Sequence, residues 1–199
     1  MSRFQVICLS SLLALGFSCA SEPEQDCSWC GAHEAPRSLS WNTTIAPPDE
    51  PGEKLVVTGT IYQEDGSTPA ADVLVYVYHT NVEGVYPKRG DETGNARRHG
   101  YLRGWMRTDE EGRYRFETIR PAPYHTHGGE PAHIHYTIQP KGSREYWINA
   151  AWFSDDPRVT DELLAGLNRQ GGFSNVMQVS QDANGVWHGK RDLILATYE

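Results

Sequence analysis

Apolar and polar residues alternate with a period of two through the middle of the chain. Leu55–Tyr62 reads LVVTGTIY and is closed by the turn pair Asp65-Gly66. Val73–His79 sets Val73, Val75 and Val77 against Leu74, Tyr76 and Tyr78, so both faces of that strand must pack. Tyr101–Arg107 predicts a third strand. Asp109-Glu110-Glu111-Gly112 is a turn with glycine where φ is positive, and Arg113–Ile119 follows with Tyr114, Phe116 and Thr118 on one face. Pro121 and Pro123 end it. Ile134–Gln139 and Tyr146–Phe153 are two more strands, and the tail around Asn184-Gly185 holds two or three short ones. The one short helix starts at Thr160, a good N-cap, with Asp161 and Glu162 at its positive end. The sum is an all-β fold, a β-sandwich of about eight or nine strands with long loops.

The N-terminal region breaks this pattern. Val6–Phe17 is apolar except for Ser10 and Ser11, follows Arg3, and is too short to span a bilayer comfortably. It predicts an export signal over residues 1–20. Ser18-Cys19-Ala20 suits cleavage after Ala20, and Leu15–Cys19 loosely matches a lipoprotein signal that would place a lipid anchor on Cys19. The protein is therefore expected outside the cytoplasm: periplasmic, secreted or outer-membrane-anchored. Residues 21–54 are rich in Pro, Glu, Ser and Asp and read as a tether or strap, leaving 55–199 as the domain. Cys27 and Cys30 form a C-x-x-C. In an exported chain with no second pair to complete a zinc site, a small disulfide loop is the expectation.

Composition narrows the function classes. The 199 residues suit one domain, and 38% hydrophobic with 11% aromatic residues supports a core rather than disorder. Nineteen Gly and twelve Pro argue against long helices. A formal net charge of −8 without a basic run argues against nucleic acid as a partner.

The chemistry concentrates in Pro121-Ala122-Pro123-Tyr124 and His133-Ile134-His135. On a strand, His133 and His135 share a face while Ile134 points to the core. Two such imidazoles converge on a metal or stand as solvated surface histidines; the pair alone does not choose. Tyr124 is either a packing residue after Pro123 or an oxygen donor. An ionised phenolate is a hard ligand that favours a trivalent ion.

With these residues in order, the chain resembles the intradiol ring-cleavage dioxygenases, the protocatechuate and catechol dioxygenase superfamily. The resemblance runs over residues 55–153. It is carried by Gly59-Thr60-Ile61, Val77-Tyr78-His79-Thr80-Asn81 with Gly84-Val85-Tyr86, Thr108–Phe116, Thr118–Tyr124 and Pro131–His135. It implies Fe(III) held by Tyr86, Tyr124, His133 and His135, with Tyr124 also acting as a base when a catechol chelates the metal. It further implies O₂ insertion between the hydroxyl-bearing carbons to give a muconate-type diacid.

Two positions depart from the family pattern. Glu130 stands where an arginine usually precedes the Pro-x-His-x-His unit, and Ala150 where a polar Gln is expected. Arg97, Arg98, Arg103, His125 and His127 are candidates to replace the positive group. Tyr101, Trp105, Tyr136 and Trp152 are candidates to wall an apolar pocket, or simply core. Two other readings stay open: a non-enzymatic β-sandwich binding module, and a degenerate relative that holds iron without turnover. The catechol and the oligomeric state are not specified by these residues.

Overall fold

The computed structural model describes residues 27, 29–125, 129–167 and 170–196. The strands are β1 (Asn42–Thr44), β2 (Lys54–Tyr62), β3 (Leu74–His79), β4 (Arg103–Arg107), β5 (Arg113–Ile119), β6 (His133–Gln139) and β7 (Tyr146–Phe153). Four short ones follow: β8 (Val176–Met177), β9 (Val179–Gln181), β10 (Trp187–Lys190) and β11 (Leu193–Ile194). Two short helices, α1 (Ala96–His99) and α2 (Asp161–Ala165), lie between them. One sheet runs β1-β5-β2-β10-β9, with β11 also paired to β2; the other runs β4-β3-β6-β7-β8. The fold is an all-β sandwich.

Strand alternation builds the interior as the sequence predicts. Leu55, Val57 and Ile61 of β2 and Tyr114 and Phe116 of β5 face Val75 and Val77 of β3 and Ile134, Tyr136 and Ile138 of β6 in one core cluster. The count of eight or nine strands is corrected to eleven among the described residues. The tail divides into four short strands, and β1 lies in the Pro-rich stretch. Polar Asn-Thr-Thr carries no alternation. Its strand state comes from parallel backbone pairing with β5 and from Ile45 entering the core directly after it. Among the described residues the single helix becomes two α-helices and a 3-10 turn at Ala32–Glu34, and α1 gives no signal in the sequence because it is one four-residue turn with no apolar period to read. Thr160 caps α2 as expected, its hydroxyl accepting from Leu163 N–H at 3.2 Å.

The second sheet is covered on its outer face as well. Leu74, Tyr76 and Tyr78 form a second cluster with Ala32, Ala35, Leu39, Tyr86, Trp105 and Trp147. The strap of residues 29–39 is pinned there by polar contacts. Gly31 and Ala32 N–H groups donate to the Glu145 carboxylate at 2.9 and 2.8 Å. Trp105 Nε1–H donates to the Gly31 carbonyl at 2.7 Å, and Arg103 pairs with Glu34. Gly31 is required here, because a Cβ would enter the Tyr76 ring. Cys27 and Cys30 are disulfide-bonded at the strap's start.

His79 ends β3 inside the sandwich. Its Nδ1–H donates to the Thr80 carbonyl at 2.7 Å, and Nε2 accepts from the Thr118 hydroxyl of the opposite sheet at 2.7 Å. Burial pushes its pKa down from 6.5 to about 4. The folded state thus binds fewer protons than the unfolded chain between these values. The stabilisation is complete above pH 6.5 and is lost as pH falls toward 4. The gap corresponds to about 3 kcal/mol. Urea unfolding from pH 7 to pH 4 is expected to show this loss, and His79→Gln a shallower decline. Equal slopes would remove His79 as its source.

Candidate metal centre

The four residues singled out in the sequence meet at one point. His133 and His135 stand on the outer face of β6, with Nε2 atoms 3.0 Å apart. Tyr124 Oη lies 2.9 Å from His135 Nε2 and 3.2 Å from His133 Nε2. Tyr86 Oη completes the cluster, 2.5 Å from Tyr124 Oη.

Each donor is held by its surroundings. His133 Nδ1–H donates to the Pro131 carbonyl at 2.8 Å, which fixes the tautomer and leaves Nε2 as a lone pair aimed into the cluster. Tyr78 lies opposite His135 in the β3–β6 register, and the two rings stack at 4.5 Å and 14°. His99 of α1 stacks on Tyr78 at 3.7 Å and 4°. It also hydrogen-bonds Tyr76 Oη through Nδ1 at 2.7 Å.

The two tyrosine loops are tied together. Thr80 Oγ1–H donates to the Ala122 carbonyl at 2.6 Å, and Ala122 N–H to the Asn81 carbonyl at 3.1 Å. The Asn81 side chain accepts from the Glu83 and Val85 N–H groups and shapes the turn into Tyr86. Gly84, at φ +71°, sits where a Cβ would strike the Pro123 carbonyl.

Burial governs the charge states. Desolvation, and then the neighbouring imidazoles, hold the His135 pKa well below its usual value, so the ring is neutral and its nitrogen free to ligate. Burial raises the Tyr86 pKa, and the contact with Tyr124 adds to this. Burial raises Tyr124 as well; the Tyr86 hydrogen bond opposes that and the Glu130 charge reinforces it. Two half-buried phenols with raised pKa values ionise at neutral pH only beside a strong cation. Ligand atoms about 2 Å from one ion lie roughly 3 Å from each other, which matches the spacing of these four. Two imidazoles and two ionisable phenols are a donor set that a ferric ion fits.

A cavity of about 600 Å³ opens over the cluster, lined in part by Tyr86, Tyr124, Lys88, Arg98, His125 and Glu130. The five candidate cations separate here. Arg98 and His125 line the cavity. Arg97 turns to the Glu92 carbonyl, Arg103 pairs with Glu34, and His127 lies outside the described residues. Glu130 Oε1 is 3.9 Å from His133 Nδ1. The four aromatics considered as pocket walls do not line this cavity. Tyr136 is in the core, Trp152 is buried, Trp105 supports the strap, and Tyr101 donates to Glu50. Tyr78, His99 and Lys88 were not singled out from the sequence. The alternation of β3 placed Tyr78 on the outer face, and nothing in the sequence set its register against His135.

A family model described as Dioxygenase matches residues 32–190. The chain belongs to the intradiol dioxygenase family. It is 33% identical over 154 residues to catechol 1,2-dioxygenase of Acinetobacter baylyi, covering 69% of this chain and 47% of that protein. It is 34% identical over 121 residues to the protocatechuate 3,4-dioxygenase beta chain of Burkholderia cepacia, covering 58% of this chain and 51% of that one. The chain thus spans about half the length of these relatives. Among solved structures, the dioxygenase domain of a dioxygenase–carbohydrate-binding fusion from Streptomyces sp. SirexAA-E superposes with a TM-score of 0.60. That match covers 82% of this chain and 92% of that one at 24% identity, and establishes the likeness of fold.

Gly84 offers a direct check on how the family's tyrosine loops are held together here. Gly84→Ala is expected to cost roughly 1–3 kcal/mol, as overpacking against backbone does. A urea midpoint equal to wild type would show that the approach to Pro123 is not tight.

Proposed function

We propose that this protein is an intradiol dioxygenase that uses non-haem Fe(III) held by Tyr86, Tyr124, His133 and His135. It cleaves a catechol-type ring between the two hydroxyl-bearing carbons, and both atoms of O₂ enter the muconate-type diacid. The observation that carries this reading is the convergence of four donors, two of which, Tyr86 and Tyr124, line an open cavity. Family membership supports the reaction class.

When bound, the ferric ion supplies Lewis acidity and a template for a chelating catecholate. The remaining work falls to the chain. A catechol must lose two protons to chelate. Tyr124 Oη touches Tyr86 and both imidazoles and also faces the cavity, so it is the group placed to accept one of them. His133 keeps its orientation through the Pro131 carbonyl, and His135 through the Tyr78 ring. Arg98 is the guanidinium nearest in role to the arginine that Glu130 replaces. It lines the cavity and rests on the Trp29 ring, 4.3 Å from its centroid. There it offsets negative charge developing on the ring.

Export belongs to the same proposal. It rests on the apolar run Val6–Phe17, with cleavage after Ala20 or lipidation at Cys19, and the Cys27–Cys30 disulfide suits an oxidising compartment.

The test is spectroscopic. Ferric loading of the purified protein is expected to give about one iron per chain and a broad visible tyrosinate-to-metal band. Tyr86→Phe and Tyr124→Phe should each weaken or shift that band, and catechol should be consumed with O₂ uptake. A colourless protein that takes up no iron would return the β-sandwich binding module to first place. Iron without turnover on a catechol panel would make this a degenerate relative.

A further inference from the structure

The two imidazoles of the site are held in different ways. His133 has its Nδ1–H on the Pro131 carbonyl at 2.8 Å. A metal-binding histidine ordinarily fixes its ring by such a bond from the nitrogen that faces away from the ion. His135 lacks one: among the described residues no group bonds its Nδ1. Its polar contacts run through Nε2, to Tyr124 Oη at 2.9 Å and His133 Nε2 at 3.0 Å. Rings set its plane instead. Tyr78 lies nearly parallel to it at 4.5 Å and 14°, and His99 lies parallel to Tyr78 at 3.7 Å and 4°, so the phenol ring is held between two imidazoles.

His99 is a costly residue for the end of this stack. It is 1% exposed, and its Nε2 is buried with no partner among the described residues. A buried polar atom without a hydrogen bond destabilises the fold, so stability alone would favour an apolar side chain. What the imidazole gains is a fixed orientation. Its Nδ1 bonds Tyr76 Oη at 2.7 Å, which sets the rotation of the ring. The backbone below it is tied down as well. His99 N–H donates to the Asn95 carbonyl at 2.8 Å, and Asn95 donates through Nδ2 to the Cys30 carbonyl at 2.6 Å and through its N–H to the Glu34 carboxylate at 2.7 Å. Trp29, inside the Cys27–Cys30 disulfide loop, stacks on the imidazole at 6.2 Å and 25°. His99 is thus the anchored end of the stack, and His135 is the end that meets the other donors.

We infer that His99 is a positioning residue for the metal centre: it holds the Tyr78 ring against His135 and so keeps that imidazole in the plane that brings Nε2 to the other three donors. The stack does for His135 what the Pro131 carbonyl does for His133. This rests on reading His135 as a ligand and adds the residue that aims it.

The experiment uses the full chain with and without iron. In the iron-free protein the His135 ring protons are followed by NMR, since stacking on Tyr78 moves them upfield. In the loaded protein the ferric affinity and the visible tyrosinate band are measured, and urea unfolding of each variant separates aiming from stability. His99→Ala is expected to lose much of the upfield shift, to bind ferric ion roughly two- to tenfold more weakly, the scale of one aromatic pair, and to broaden or shift the band. His99→Phe, which returns a ring without the hydrogen bond, should recover most of these losses. A folded His99→Ala with wild-type His135 signals, affinity and band would overturn the inference. Equal losses in His99→Ala and His99→Phe would overturn it too, because the ring would not be what matters. If His99→Ala does not fold, Tyr76→Phe decides: displaced His135 signals support the inference, and unmoved ones sink it. If the wild type takes up no ferric ion, the ring-cleavage reading fails, and the iron-free spectra still decide whether His99 aims His135.

Discussion

Strand β6 has to satisfy two environments at once. One face inserts Ile134, Tyr136 and Ile138 between the sheets, and the other presents His133 and His135 to the Tyr124 hydroxyl. Because side chains alternate strictly along a strand, neither face can shift without the other. A slip of one residue would carry the isoleucines into the polar cluster and the histidines into the core. The apolar packing of the sandwich therefore fixes the direction of the imidazoles far more firmly than any contact within the cluster. The tyrosines then come to this fixed pair from loops.

The outer face of the second sheet extends that control. His135 rests on Tyr78, Tyr78 on His99, and His99 is bonded to Tyr76. The strap covers this layer, with Gly31 admitting the Tyr76 ring and Glu145 gathering two backbone N–H groups. Asn95, which precedes α1, donates to the Cys30 carbonyl at 2.6 Å. The polar N-terminal stretch thus holds down the helix that carries both His99 and Arg98. Its composition resembles a linker, but it packs as an outer layer on the second sheet.

Much of this was legible from the chain alone, and the parts that were not share a cause. The long strands and the shared face of His133 and His135 follow from a period of two. Tyr86 has no such local signature; it entered only through the order of family motifs. β1 is three polar residues whose state depends on β5. The Tyr78–His135 stack depends on register between β3 and β6, which alternation does not specify. Among the five candidate cations, the sequence offered no way to choose. That choice depends on the loop path set by Asn81, Gly84 and the α1 turn. Local patterns were readable, and pairings between distant segments were not.

The contact between Gly84 and the Pro123 carbonyl has a consequence for how such sequences can drift. Any side chain at 84 requires the backbone at 123 to retreat, and Tyr124 is the next residue along. The two loops are 39 positions apart in the chain, since 123 − 84 = 39, yet they share one volume. A lineage can acquire a larger residue at 84 only after, or together with, a change that re-aims the tyrosine. The smallest residue in the protein thereby serves as an archive: its identity in a descendant would tell whether the ancestral position of that phenol had been kept.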